Sequence, residues 1–404
     1  MNAYDALVIG GGPAGATAAL RLARAGLSVA VVEKQPFPRR KVCGEFISAT
    51  TWPLLGELGI AAQLLDVAGP GVARVGLYAG EAVVAAPMPA PRQPDAWGRA
   101  VGREFLDTAL LEGAARAGAH SWQPWEVVAC AFVDGEYRVS IAQHGRAGHQ
   151  AVRELRARVV IAAHGSWERG SMAGEPERAP RRGSDLLGFK AHFHGAGLPA
   201  GLMPLVLFPG GYGGMVHSDS GRVSFSCCIR RDVLRRCRAA HPGLSAGEAV
   251  VTHAIESSRG VREALAGARR EAAWLSAGPI QPGIRRLVRG NLFVAGNAAG
   301  EAHPLVAEGI SMAIQSGWLL GGVLAAQASL SDAALRSAGL RYARGWRRNF
   351  AARVRASSMF AAATTSPLSA AASVAFMRGA PAILTWGAWW SGKADTLDRM
   401  EFLT

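Results

Sequence analysis

The sequence predicts an α/β chain, α+β overall: a Rossmann-like nucleotide-binding domain interleaved with an antiparallel β-sheet domain and followed by C-terminal helices. Three observations predict it. The chain opens on a strand, a glycine turn, a helix and a second strand. Residues 183–230 hold short β-rich runs around a glycine-rich turn. Beyond Asp332 apolar aromatic residues recur every four positions.

Residues 6–9 are apolar and lead into Gly10-Gly11-Gly12-Pro13-Ala14-Gly15; residues 13–25 have helical spacing, and 28–32 are apolar again. Gly10, Gly12 and Gly15 fit the G-x-G-x-x-G pattern. The first permits a tight turn, the second lets a diphosphate approach the backbone, and the third lets helix and strand pack closely. The phosphates would sit at the helix start by Pro13 and Ala14, where free N–H groups and the helix dipole favour negative charge. Glu33 ends the second strand, where a carboxylate accepts ribose hydroxyls and repels a 2′-phosphate.

A second block runs from Leu292 to Ile310: a strand into Gly296-Asn297, a loop with Pro304, and a long helix from Gly309. Together the two blocks resemble the flavoprotein superfamily of p-hydroxybenzoate-hydroxylase-like (class A) monooxygenases and geranylgeranyl reductases. The resemblance implies FAD as cofactor. Asn297 stands where the family has Asp, and keeps hydrogen bonding to a ribityl hydroxyl without the charge. The Gly309 and Ile310 N–H groups would face negative charge on the reduced ring.

Two further segments agree with the resemblance. Arg39-Arg40-Lys41-Val42-Cys43-Gly44-Glu45 resembles the family's basic segment with a Cys-Gly turn beside the flavin, and Arg103 resembles the Arg leading its cofactor-contacting helix. Arg39 and Arg103 are expected phosphate or ribityl partners. Lys34, Lys41, Cys43, Gly44, Val127 and Gly165 complete the expected cofactor contacts. His164 replaces the Asp of the family's DG motif, and no second G-x-G-x-x-G occurs, so NAD(P)H is expected to dock transiently as reductant.

The implied layout is discontinuous. Residues 1–75, 96–168 and 280–330 would bind FAD, 76–95 and 169–279 would bind substrate, and 331–404 would be helical. Strands are expected at 187–193, 202–208 and 222–229, roofing the flavin. Tyr342, Trp346, Phe350 and Val354 form one helical stripe, expected to pack on the body and cap the substrate cavity. The charge-poor runs 309–331 and 356–377 read as a buried helix and a segment broken by Pro367, not as membrane spans.

Composition narrows the partners. The chain has 404 residues, 50% hydrophobic and 18% charged, which excludes a disordered chain. Its net charge of +14 is spread over scattered arginines without an aromatic-interleaved groove, so nucleic acid is not expected. Five cysteines make neither a metal pattern nor a disulfide framework, so no metal is expected and the location is cytoplasmic, with room for peripheral contact with the inner face of the membrane.

The first expected function is a monooxygenase of an apolar or aromatic secondary metabolite, using NAD(P)H and O2. The alternatives are an ene reductase of an isoprenoid or lipid, and a flavoprotein acting on a protein-bound substrate or maturing a partner polypeptide. A halogenase is disfavoured because no W-x-W-x-I-P motif occurs. Cys43, His303 and Tyr212 are the catalytic candidates, with Glu301 a weaker acid or base: Cys43 for its cationic neighbours, His303 for its loop beside the flavin, and Tyr212 for its place in the glycine-rich turn.

Overall fold

The computed structural model describes residues 2–145, 152–165, 181–365 and 374–393. Parts of the expected layout, namely residues 166–180, Pro367 and 394–404, lie outside the described residues. Two eight-stranded sheets organise the rest.

In the first sheet, strands Leu292–Val294, Arg153–Ala162, Asn2–Ile9, Val29–Val32 and His120–Trp122 run parallel in that spatial order. Their near-continuous apolar sequences follow from cover on both faces. Ala6, Val8, Val29 and Ile161 meet helices Pro13–Arg24, Arg103–Arg116 and Gly309–Ala325. Leu7, Ile9 and Val160 meet the hairpin Trp125–Val133 and Glu136–Gln143. The helix Gly309–Ala325 touches the first helix so closely that a Cβ on Gly317 would stand 2.2 Å from the Ala14 carbonyl oxygen. Its lack of charge reflects burial between layers. Among the described residues no helix is long and apolar enough to cross a membrane.

The second sheet runs Arg269–Arg270, Leu186–His194, Val223–Arg230, Gly211–His217, Leu202–Phe208, Arg74–Ala79 and Ala82–Pro87, with Leu275–Ile280 also pairing Leu186–His194. All its pairs are antiparallel except Leu202–Phe208 with Arg74–Ala79. The expected boundary after residue 75 therefore cuts a strand. That strand forms a hairpin with Ala82–Pro87 and pairs on its other edge with Leu202–Phe208, more than a hundred residues away, which fixes it in this sheet. Helices Arg231–Ala240, Ala246–Ser257 and Arg259–Leu265 cover one face of this sheet. Adjacent strand residues point oppositely, so Cys227 joins that layer while Cys228 faces the other way with Tyr212, Leu207 and Leu384.

The stripe Tyr342, Trp346, Phe350 and Val354 is buried in the core of the first sheet and its helices, and the Tyr342 hydroxyl donates to the Val294 carbonyl at 2.7 Å. It anchors the C-terminal helices there. The cavity is approached instead by residues farther along, from Ala356 to Lys393.

Candidate active site

One cavity of about 810 Å³ connects the glycine turn, the loop before helix Gly309–Ala325, the inner face of the second sheet and the C-terminal helices. At its nucleotide end, Gly10 has φ +103°, and a Cβ there would meet the Ala163 carbonyl oxygen at 2.6 Å. Gly12 differs: a Cβ would meet only guanidinium nitrogens of Arg103 and Arg39, each at 3.9 Å. Two cations thus converge on the glycine where a diphosphate would approach.

Glu33 is buried and already accepts from the Gly11 N–H at 2.8 Å, the Gln35 N–H at 2.8 Å and Arg39 Nη1 at 3.0 Å. A carboxylate offers about four acceptor sites, and the longest of its four contacts, from Arg39 Nη2 at 3.4 Å, is the one a ribose hydroxyl would replace. Arg103 grips Asp107 through two bonds of 2.7 and 2.8 Å. Burial opposes its charge, but Asp107 and then the Cys43 sulfur offset this, holding the guanidinium above its ordinary pKa. Of the cations near Cys43 in sequence, Arg39 turns to Glu33 and Arg40 to Glu271 at 2.8 Å, while Arg103, distant in sequence, stands beside the thiol. Lys34, Lys41, Gly44, Val127 and Gly165 also line the cavity.

At the other end, Gly296–Ala298 and Pro304–Val306 are single 3-10 turns and Ala307 is left-handed at φ 52°. This path aims the start of helix Gly309–Ala325 into the cavity. A Cβ on Gly309 would meet nothing within 4 Å, so the backbone at the helix start borders open space in the cavity. Asn297 Nδ2 donates to Glu301 at 3.3 Å, and Glu301 is buried near Arg285 at 3.8 Å. Glu308, just before the helix, is fully buried and bonded by Lys393 at 3.0 Å, with Arg353 at 3.8 Å. The donors fit FAD: guanidiniums and a bare glycine for its diphosphate, a carboxylate for its ribose, and an open helix start for its ring.

Beyond the ring position the lining turns apolar. Met203, Leu205, Leu305, Met377, Leu384 and Trp390 are among the residues there. Tyr212 and His303, which the sequence singles out separately, meet here: the phenol oxygen and Nδ1 lie 2.7 Å apart. Burial pushes the Tyr212 pKa well above its ordinary value and lowers that of His303 to about 4. Both are therefore neutral near pH 7. The shared proton belongs to the phenol when Nδ1 is bare and to the imidazole when it is not.

A cluster that the sequence reading missed joins the two sheets. Glu45, at φ 65° just after the Cys-Gly turn, is fully buried and bonded by Lys190, by His192 Nε2 at 2.8 Å and by the Ser218 hydroxyl at 3.1 Å. Burial favours its neutral form, but the His192 hydrogen bond and the Lys190 charge outweigh this and hold its pKa below the usual carboxylate range. Arg222 continues the cluster to Asp219 at 2.6 Å, Glu104 at 2.5 Å and Glu271 at 2.9 Å. The available signal was Lys190 and His192 two apart inside a largely apolar strand, which places both side chains on one face. Among the described residues no group of His, Cys, Asp or Glu could hold a metal ion.

The sequence model of the family described as FAD binding domain matches residues 3–354. Digeranylgeranylglycerophospholipid reductase 2 of Methanopyrus kandleri is 27% identical over 368 residues, covering 86% of this chain and 83% of that protein. The myxobacterial chondrochloren halogenase CndH superposes with a TM-score of 0.72 at 20% identity, over 87% of this chain and 80% of its own. Pseudomonas aeruginosa pqsL, described as a probable FAD-dependent monooxygenase, gives 0.66 at 19% identity, over 90% and 96%. Structures this distant show a shared fold.

Proposed function

Because the chain belongs to the FAD binding domain family of oxidoreductases, we propose that it is a monooxygenase hydroxylating an apolar or aromatic small molecule, with NAD(P)H as reductant and O2 as co-substrate. The observation that carries this reading is the continuity of the cavity: one enclosure of about 810 Å³ leads from the charged nucleotide end past Gly309 into an apolar chamber lined by Tyr212, whose hydroxyl pairs with His303 behind it. Bound FAD would supply two-electron redox chemistry and the activation of oxygen.

The chain's own residues do the rest. Arg39, Arg103 and the Gly12 backbone hold the diphosphate, Glu33 holds the ribose, and Asn297 faces the ribityl chain. The N–H groups at Gly309 and Ile310 stand ready for charge on the ring. Methionine, leucine and tryptophan side chains keep water from the reacting centre. Tyr212 orients a substrate phenol or carbonyl, and His303 holds or takes up the proton that this contact moves. With His164 in place of an acid beside Gly165, NAD(P)H docks transiently.

Reduction of an isoprenoid double bond is the second reading, favoured by the 27% identity with the Methanopyrus reductase across most of both chains. In it Cys43, beside Arg103, is the proton donor. The two readings separate when FAD-loaded protein, NADPH or NADH and a panel of apolar phenols and prenyl lipids are incubated under isotopically labelled oxygen. A product carrying one labelled oxygen supports hydroxylation. A product gaining two hydrogens and no label rejects it.

A further inference from the structure

The cavity opens among side chains that a water-facing surface seldom carries. Met359, Phe360, Trp386 and Trp390 line it and are also 74%, 42%, 64% and 38% exposed. Trp386, Trp389 and Trp390 stand at positions i, i+3 and i+4, on one side of a helical segment, and Trp389 is 54% exposed. Phe376 adds a further ring at 66% exposure. Beside them a shallow groove of about 560 Å³ runs between Trp386, Trp389 and the apolar residues Ala85, Pro87 and Pro89. Exposed apolar surface this continuous marks an interaction face.

Charge says what covers it. Between Asp332 and Asp395 the chain has nine basic residues and no acidic one. Arg353 and Lys393 are buried with Glu308, while the other seven are exposed. Arg355 lies one helical turn before Met359, and Arg378 lies two residues beyond Phe376. A second copy docking by the same face would set these cations against each other. Tryptophans at the mouth of an apolar cavity, with Arg355 one helical turn from Met359 and an exposed, wholly basic segment carrying them, match the layers of an anionic bilayer: rings at the headgroup boundary, guanidiniums on phosphates.

We propose that this face docks on anionic lipid bilayers, with the cavity mouth against the membrane so that an apolar substrate enters from lipid. The docking is independent of which reaction the flavin performs.

The experiment is flotation of the full-length, FAD-loaded protein with vesicles of phosphatidylcholine alone or with phosphatidylglycerol, at low and high salt. The expected result is binding to the anionic vesicles, weakened by salt and weak on phosphatidylcholine. Trp389→Ser and Arg355→Glu should each lower that binding about tenfold with flavin content unchanged. Three results would overturn the proposal: no flotation with anionic vesicles at low salt, flotation that neither substitution changes, or capture of the protein by an acidic carrier protein in place of vesicles.

Discussion

The Tyr212 hydroxyl and His303 Nδ1 lie 2.7 Å apart, tying the inner face of the second sheet to the loop that starts the buried helix. The tyrosine lines the cavity, while the His303 backbone N–H is held by the Ser357 hydroxyl at 2.9 Å. A pair fixed from both sides can present one proton position to a bound substrate without reorganising.

Tyr212→Phe keeps the ring and removes that position. Turnover should fall by about 10²–10⁴, the usual worth of a positioned acid or base, with FAD content unchanged and stability lowered by about 1–2 kcal/mol for the abandoned imidazole nitrogen. Wild-type turnover in this variant, measured at saturating substrate, would end the proton role. Cys43→Ser should leave turnover intact, and a matching loss of turnover there would favour the reductase reading.

His303 also sets a pH dependence. Its pKa is lowered from 6.5 to about 4 in the folded chain, so between these values the unfolded chain binds more protons. Stability therefore rises with pH across that window and is lost as pH falls from 6.5 toward 4. The full effect is about 3 kcal/mol. Urea unfolding of wild type and His303→Gln at several pH values should show wild type losing about 3 kcal/mol relative to the variant as pH falls from neutral toward 4; parallel curves would contradict the assignment.

The nucleotide end was legible in the sequence because its determinants are local: Gly10, Gly12, Gly15 and Glu33 sit within one strand-turn-helix-strand unit. The ring end was legible through a second local block. What joins them was not. Lys190 reaches Glu45 across 145 positions, and Lys393 reaches Glu308 across 85; neither pairing leaves a spacing to read. The strand Arg74–Ala79 was split although its hairpin with Ala82–Pro87 is local, because the pairing that assigns it to the second sheet is with Leu202–Phe208 far along the chain. Tyr212 and His303 were each visible, but only the fold makes them a pair.

The Glu45–Lys190 pair should prove costly to break and cheap to replace. Both side chains are fully buried, so Lys190→Met leaves a carboxylate without its cation, at a cost of about 3–5 kcal/mol. Adding Glu45→Gln removes the stranded charge and should restore part of that loss. Thermal unfolding of the two singles and the double tests the coupling. Simple additivity would mean that His192 and Ser218, not Lys190, satisfy Glu45.

The two glycines of the first turn make opposite predictions for the same substitution. A Cβ on Gly15 would lie 2.0 Å from the Gly10 carbonyl oxygen and 3.0 Å from Val8, so Gly15→Ala must displace the helix from the strand and should destabilise the protein with or without FAD. Gly12 has extended backbone, with φ −72° and ψ −177°, and an added Cβ would meet only the two guanidiniums at 3.9 Å. Gly12→Ala should therefore unfold at the same temperature as wild type when both are stripped of flavin. In the FAD-loaded state the methyl would stand where the diphosphate must come close, so FAD affinity, followed by quenching of flavin fluorescence, should drop at least about tenfold. Unchanged affinity in Gly12→Ala would mean that the diphosphate lies elsewhere, and with it the charged end of the cavity would lose its assigned role.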